Sequence, residues 1–187
     1  MGIVERKNYL FLHVSCGNLI NKKKAIKASA YEGIFISITE KEDEYEGKPV
    51  TKVEVKMKDP ATGEIAIIQF TQESWFTLGF FARIQKIDLV KPFTIGVMPS
   101  EQNEKMSFCY LKQEGITKVE ADKNFPKPEK TRVGKKEVMN WAAPLEAMQV
   151  IMEEMNEKAG GAKEEEKSDG EAVPVVEDEK GEDDLPF

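Results

Sequence analysis

The strongest constraint on how this chain folds is a period-two alternation of apolar and polar side chains that recurs in short runs. Residues 9–16 read Tyr-Leu-Phe-Leu-His-Val-Ser-Cys, so a strand there carries Leu10, Leu12, Val14 and Cys16 on one face and Tyr9, Phe11, His13 and Ser15 on the other. Residues 31–39 repeat the device, with Ile34, Ile36 and Ile38 on one face and Tyr31, Gly33, Phe35 and Ser37 opposite. In residues 51–58, Val53, Val55 and Met57 alternate with Lys52, Glu54, Lys56 and Lys58. The run Asp59-Pro60-Ala61-Thr62-Gly63 then supplies turn chemistry before an apolar stretch at residues 65–70, which predicts a hairpin. Residues 92–98 and 105–111 predict a second hairpin around residues 99–103.

Helical signals are few. Ser74 is placed to cap a short helix from Trp75 to about Ile84, whose Trp75, Leu78, Phe81 and one of Phe76 or Phe80 would pack on the sheet. Pro144, read as a first helical position, opens a segment with Leu145, Met148, Met152 and Met155 at helical spacing. The charged residues 40–49, with Gly47 and Pro49, read as a loop, and the basic residues 112–136 as an extended arm. Short strands without βαβ alternation predict a mainly β fold. The expected form is a small antiparallel OB-type barrel with one short internal helix and a C-terminal amphipathic helix. Periodicity does not separate that barrel from a sandwich or an SH3-like barrel.

The composition changes near Glu157. Residues 157–187 hold twelve acidic and four basic side chains, leaving 23 basic against 22 acidic in residues 1–156. The formal charge of -7 therefore belongs to the tail, and the body is close to neutral. A segment so poor in apolar residues cannot offset its ordering entropy, so residues 158–187 are expected to be a disordered acidic tail behind a domain of residues 1–157. Within the body, basic residues gather in residues 1–27 and again in residues 112–136.

Several function classes find little support. No apolar run approaches the length of a membrane span, and residues 1–12 lack a signal-peptide pattern, so a cytoplasmic protein is expected. Cys16 and Cys109 lie in apolar, strand-like segments and are expected to be buried, reduced thiols. With one histidine, His13, and no CxxC spacing, neither a structural zinc nor another cofactor is expected. No phosphate-cradling glycine loop, nucleophile elbow or carboxylate constellation is present, so no catalytic residue is assigned.

The chain ends Glu182-Asp183-Asp184-Leu185-Pro186-Phe187. A free carboxylate beside a phenyl ring can enter a basic-rimmed apolar pocket, Pro186 limits the freedom lost on binding, and Asp183 and Asp184 pair with cations at the rim. Here the chain resembles the bacterial single-stranded DNA-binding proteins and phage proteins of the same role. Their acidic tip is matched by Asp183, Asp184, Leu185, Pro186 and Phe187, while residues 1–21 depart from the housekeeping N-terminal signature. The resemblance implies an OB-type domain that coats unpaired DNA in replication, recombination and repair, in a bacterial cell or a phage-infected host. It also implies a tail that recruits replication and repair proteins; homo-oligomerisation stays open.

Strand binding without sequence preference needs cations along the backbone and aromatic faces on which bases stack. The candidates are Tyr9, Phe11, Tyr31 and Phe35 on the outward faces of two strands, with Lys22, Lys23, Lys24, Lys27, Lys52, Lys56 and Lys58 near them in sequence. Each aromatic could instead serve the core, and each lysine plain solvation. Trp75 and Trp141 read as structural. The other readings are an acidic-tailed adaptor or chaperone-like interaction protein, and an RNA-binding OB module.

Overall fold

A computed structural model describes residues 9–160. Its elements are β1 (Leu10–Ser15), β2 (Asn18–Asn21), β3 (Ile26–Ala28), β4 (Ala30–Tyr45), β5 (Lys48–Lys58), β6 (Ile65–Thr71), α1 (Trp75–Ile84), β7 (Phe93–Pro99), β8 (Ser107–Gln113), β9 (Glu129–Val133), β10 (Lys136–Asn140) and α2 (Ala142–Lys158). The fold is mainly β, as the alternating segments predict. Eight strands form one sheet in the order β3-β2-β1-β6-β5-β4-β7-β8, while β9 and β10 make a separate hairpin. The sheet is mixed rather than antiparallel throughout, because β1 runs parallel to β6. That ladder joins strands far apart in sequence, so no tight turn forces them to run opposite ways.

The sheet curls into a half-barrel. Only Ser29 separates β3 from β4, yet β3 pairs with β2 at one end of the order while β4 lies between β5 and β7. The edge of the sheet is thus covalently continuous with its interior, and the Ser29 carbonyl accepts a bond of 2.8 Å from the Val97 N–H. The inner face carries Leu12, Leu19, Val53, Val55, Met57, Ile68 and Phe70, all buried. Helix α1 packs with them: the Ser74 hydroxyl accepts from the Thr77 N–H at its start, Phe76, Leu78, Phe80 and Phe81 are buried, and the Phe70 ring lies 5.0 Å from Phe76 and 5.5 Å from Phe80. Trp75 stays at the rim, edge-on to Trp141 at 6.2 Å. Helix α2 buries Met148, Ile151, Met152 and Met155. It begins at Ala142, so Pro144 is third rather than first, still in the turn whose N–H groups need no helical partner.

The structure corrects four further sequence expectations. In β4, Phe35 is opposite the buried Met57 and Ile34 is opposite Lys58, the reverse of the expected faces. The register shifts between Phe35 and Ser37, so Ile38 then faces inward opposite Val55, as expected. An inserted residue flips every side chain beyond it. Residues 40–49 are not a loop: β4 and β5 continue to Tyr45 and Lys48, joined by Glu46 and Gly47 at φ 52° and 75°, the left-handed pair a two-residue hairpin turn requires. Residues 129–140 within and beyond the basic arm form the β9–β10 hairpin, turning at Gly134. Finally, Cys16 is exposed, because β1 ends at Ser15 and Cys16 turns with Gly17 at positive φ, whereas Cys109 is buried.

Candidate nucleic-acid interface

The outward face of the sheet is set by the same registers that build the core. Phe11 pairs with Ile67 on β6, which pairs with Lys56 on β5, which pairs with Ser37 on β4. The next row runs Lys27, Ile20, His13, Gln69, Glu54 and Thr39 across six strands. Below Phe11, Ile65 pairs with Lys58 and Lys58 with Ile34. Phe11 is 40% exposed on this face. Beside it, the Lys56 ammonium lies over the Tyr9 ring, 5.0 Å from its centroid.

The turn between β2 and β3 holds Lys22, Lys23 and Lys24, all exposed. Asn21 fixes that turn to the aromatic strand. Its side-chain nitrogen donates to the Phe11 carbonyl at 2.8 Å, and its oxygen accepts from the Lys24 N–H at 2.8 Å. Three cations are thereby anchored next to the strand that displays Phe11. At two strand spacings, roughly 10 Å, Lys56 lies on the far side of the ring.

The structure brings together Tyr9, Phe11, Lys22, Lys23, Lys24, Lys27, Lys56 and Lys58 and separates the other candidates from them. Phe35 is 5% exposed and belongs to the core. Tyr31 pairs with the buried Ile95 and packs half-buried against the core, so it does not share the face of Phe11. Burial, with Asp59 and Glu64 nearby, pushes its phenol above the ordinary value. Lys52 is ion-paired with Asp43, a contact that holds the Asp43 carboxyl below the usual carboxylate range. It stands at the base of the projecting β4–β5 ribbon, where Glu42, Asp43, Glu44 and Glu46 make the surroundings acidic. Asp183, Asp184, Leu185, Pro186 and Phe187 lie outside the described residues.

A second aromatic surface was not among the sequence candidates. On the outer face of β7 and β8, Met98 pairs with Phe108, Gly96 with Tyr110 and Thr94 with Lys112. The signal was an isolated glycine inside a strand, which often marks close approach of another group.

An open cavity of about 590 Å³ lies at the other end of β1, between Cys16, Tyr45, Trp75 and Lys105. Among the described residues, no cluster of three or more His, Cys, Asp or Glu side chains could hold a metal ion, and no helix is long and apolar enough to cross a membrane. Comparison with protein-family models, curated proteins and solved structures finds nothing that matches this chain.

Proposed function

We propose that this protein binds single-stranded DNA largely without regard to sequence, coating unpaired strands during replication, recombination and repair. The observation that carries this reading is the convergence of an exposed phenyl ring, a tyrosine and Lys27, Lys56 and Lys58 on one outward sheet face with Lys22, Lys23 and Lys24 in the turn at its edge. Bases stack on rings of any sequence, while phosphates take the ammonium groups. In this reading the ring formed by β1, β2, β3 with β4, β5 and β6 is an OB-type barrel, and β7, β8 and the helices are additions to it. Residues 183–187 act as a docking peptide for replication and repair proteins, supported by the residue order Asp183-Asp184-Leu185-Pro186-Phe187.

Anisotropy of a labelled oligo-dT strand tests the proposal. A labelled strand is a better reporter than tryptophan emission, because Trp75 and Trp141 pack on each other at the rim beside α1. The expected result is binding that weakens with salt and survives duplex competitor. Equal competition by duplex would contradict it, and stronger competition by an RNA oligomer would favour the RNA-binding reading.

A further inference from the structure

Glycine in the middle of a strand weakens it, since it packs nothing and loses the most freedom on folding. Gly96 sits at such a position in β7, directly opposite Tyr110. A Cβ built on Gly96 would fall 1.9 Å from the phenol carbon of Tyr110 and 2.3 Å from two further ring carbons. The tyrosine ring therefore lies flat on glycine backbone, and no other residue at this position would let it do so.

The rest of the strip has the same character. Met98 and Phe108 face each other one row along and remain 43% and 37% exposed. One row the other way, Lys112 places its ammonium over the Tyr110 ring, 5.1 Å from the centroid. This is nearly the arrangement of Lys56 over Tyr9, at 5.0 Å, on the first face. The two faces belong to one surface: Glu32 and Ile34 on β4 carry the outward side from Lys58 on β5 to Thr94 on β7.

We propose that Tyr110, Phe108 and Met98, with Lys112, form a second base-stacking platform for the same single strand, on the β7–β8 extension of the sheet. The inference rests on the DNA-binding reading above and extends its path. Lys112 moves from the ring to an adjacent phosphate, a base takes the face of Tyr110 that it leaves, and the Met98–Phe108 pair receives the neighbouring base. A planar π-system carrying a negative backbone is the ligand that this order of apolar, aromatic and cationic groups complements. Strand spacing puts β8 roughly 24 Å from β1 along the sheet by way of β6, β5, β4 and β7, so a strand that follows this route must be long enough to cover it to engage both platforms.

The test measures binding of dT oligomers of about 3 and about 20 nucleotides, the shorter too short to span the path, by full-length wild type, Phe108→Ser, Tyr110→Leu and Lys112→Gln, with thermal melting alongside. The two exposed-residue variants, Phe108→Ser and Lys112→Gln, keep the test informative if Tyr110→Leu disturbs the sheet. The expected result is a loss of roughly tenfold for the long oligomer in Phe108→Ser and Tyr110→Leu, a smaller loss in Lys112→Gln, and unchanged binding of the short one. Wild-type affinity for the long oligomer in all three variants, or equal losses at both lengths, overturns the second platform and leaves the first reading standing. Failure of the wild type to bind either oligomer overturns both.

Discussion

The side-chain amide of Asn21 donates to the backbone carbonyl of Phe11 at 2.8 Å while its oxygen takes the N–H of Lys24. Asn21 is itself nearly buried. Replacing it with alanine removes the side-chain partner of both backbone groups, so Asn21→Ala should destabilise the protein by about 1–3 kcal/mol. The basic turn is released in the same step. Urea unfolding and oligo-dT titration should both register the change, and an unaltered midpoint would show that the amide anchors nothing.

A second asparagine protects an unpaired strand edge. The oxygen of Asn156 in α2 accepts from the Ile38 N–H at 3.0 Å, and its nitrogen donates to the Ile38 carbonyl at 2.9 Å. The helix thus replaces a missing strand beside β4. Asn156→Ala should cost about 1–3 kcal/mol in urea unfolding. Asn156→Asp keeps the acceptor and loses the donor, so it should not restore stability. Neither change should alter affinity for oligo-dT under conditions where the protein is fully folded.

Gly17 turns the chain from β1 to β2 at φ 73°, and a Cβ there would lie 2.5 Å from the Cβ of Pro99. Gly17→Ala combines left-handed strain with a backbone clash, and a loss of at least about 1 kcal/mol is expected. Gly47, also at positive φ, has open space around it. Gly47→Ala should therefore cost less than Gly17→Ala, an order that thermal melting can check.

The two thiols should separate cleanly under a thiol reagent. Cys16 is exposed and should react in the native state, while Cys109 should react only after unfolding. Burial pushes the Cys109 thiol far up, with Arg83 opposing only weakly. Its folded value lies above its unfolded one, so its contribution is whole below the unfolded value, near 8.5, and declines as pH rises beyond it. Cys109→Ala should flatten that alkaline loss. An unchanged slope would place its cause elsewhere.

Legibility in the sequence followed how directly a pattern reports burial. Leu12 and Phe11 were assigned to their correct faces because β1 alternates without interruption. Phe35 was misassigned because an inserted residue in β4 changes parity, which no periodicity within one strand discloses. Residues 40–49 looked like a loop because neither face of the projecting ribbon is buried. Its strands are charged on both sides and held by pairs such as Lys52 with Asp43. The Lys22, Lys23 and Lys24 cluster was visible as a charge run, but its attachment to Phe11 through Asn21 depends on a fold-level contact. Tyr110 carries no signal of its own within its strand, since only the register joins it to Gly96.

On the proposed DNA-binding reading, Phe11 is displayed for a base rather than left exposed by accident. The most direct measurement is anisotropy of labelled oligo-dT at low ionic strength with wild type and Phe11→Ala, their melting temperatures compared in the same buffer. Wild type should form a complex that weakens with added salt, and Phe11→Ala a complex weaker by roughly 5- to 150-fold with little change in melting temperature. Wild type that ignores the oligomer, or Phe11→Ala that binds it equally well, would contradict that reading.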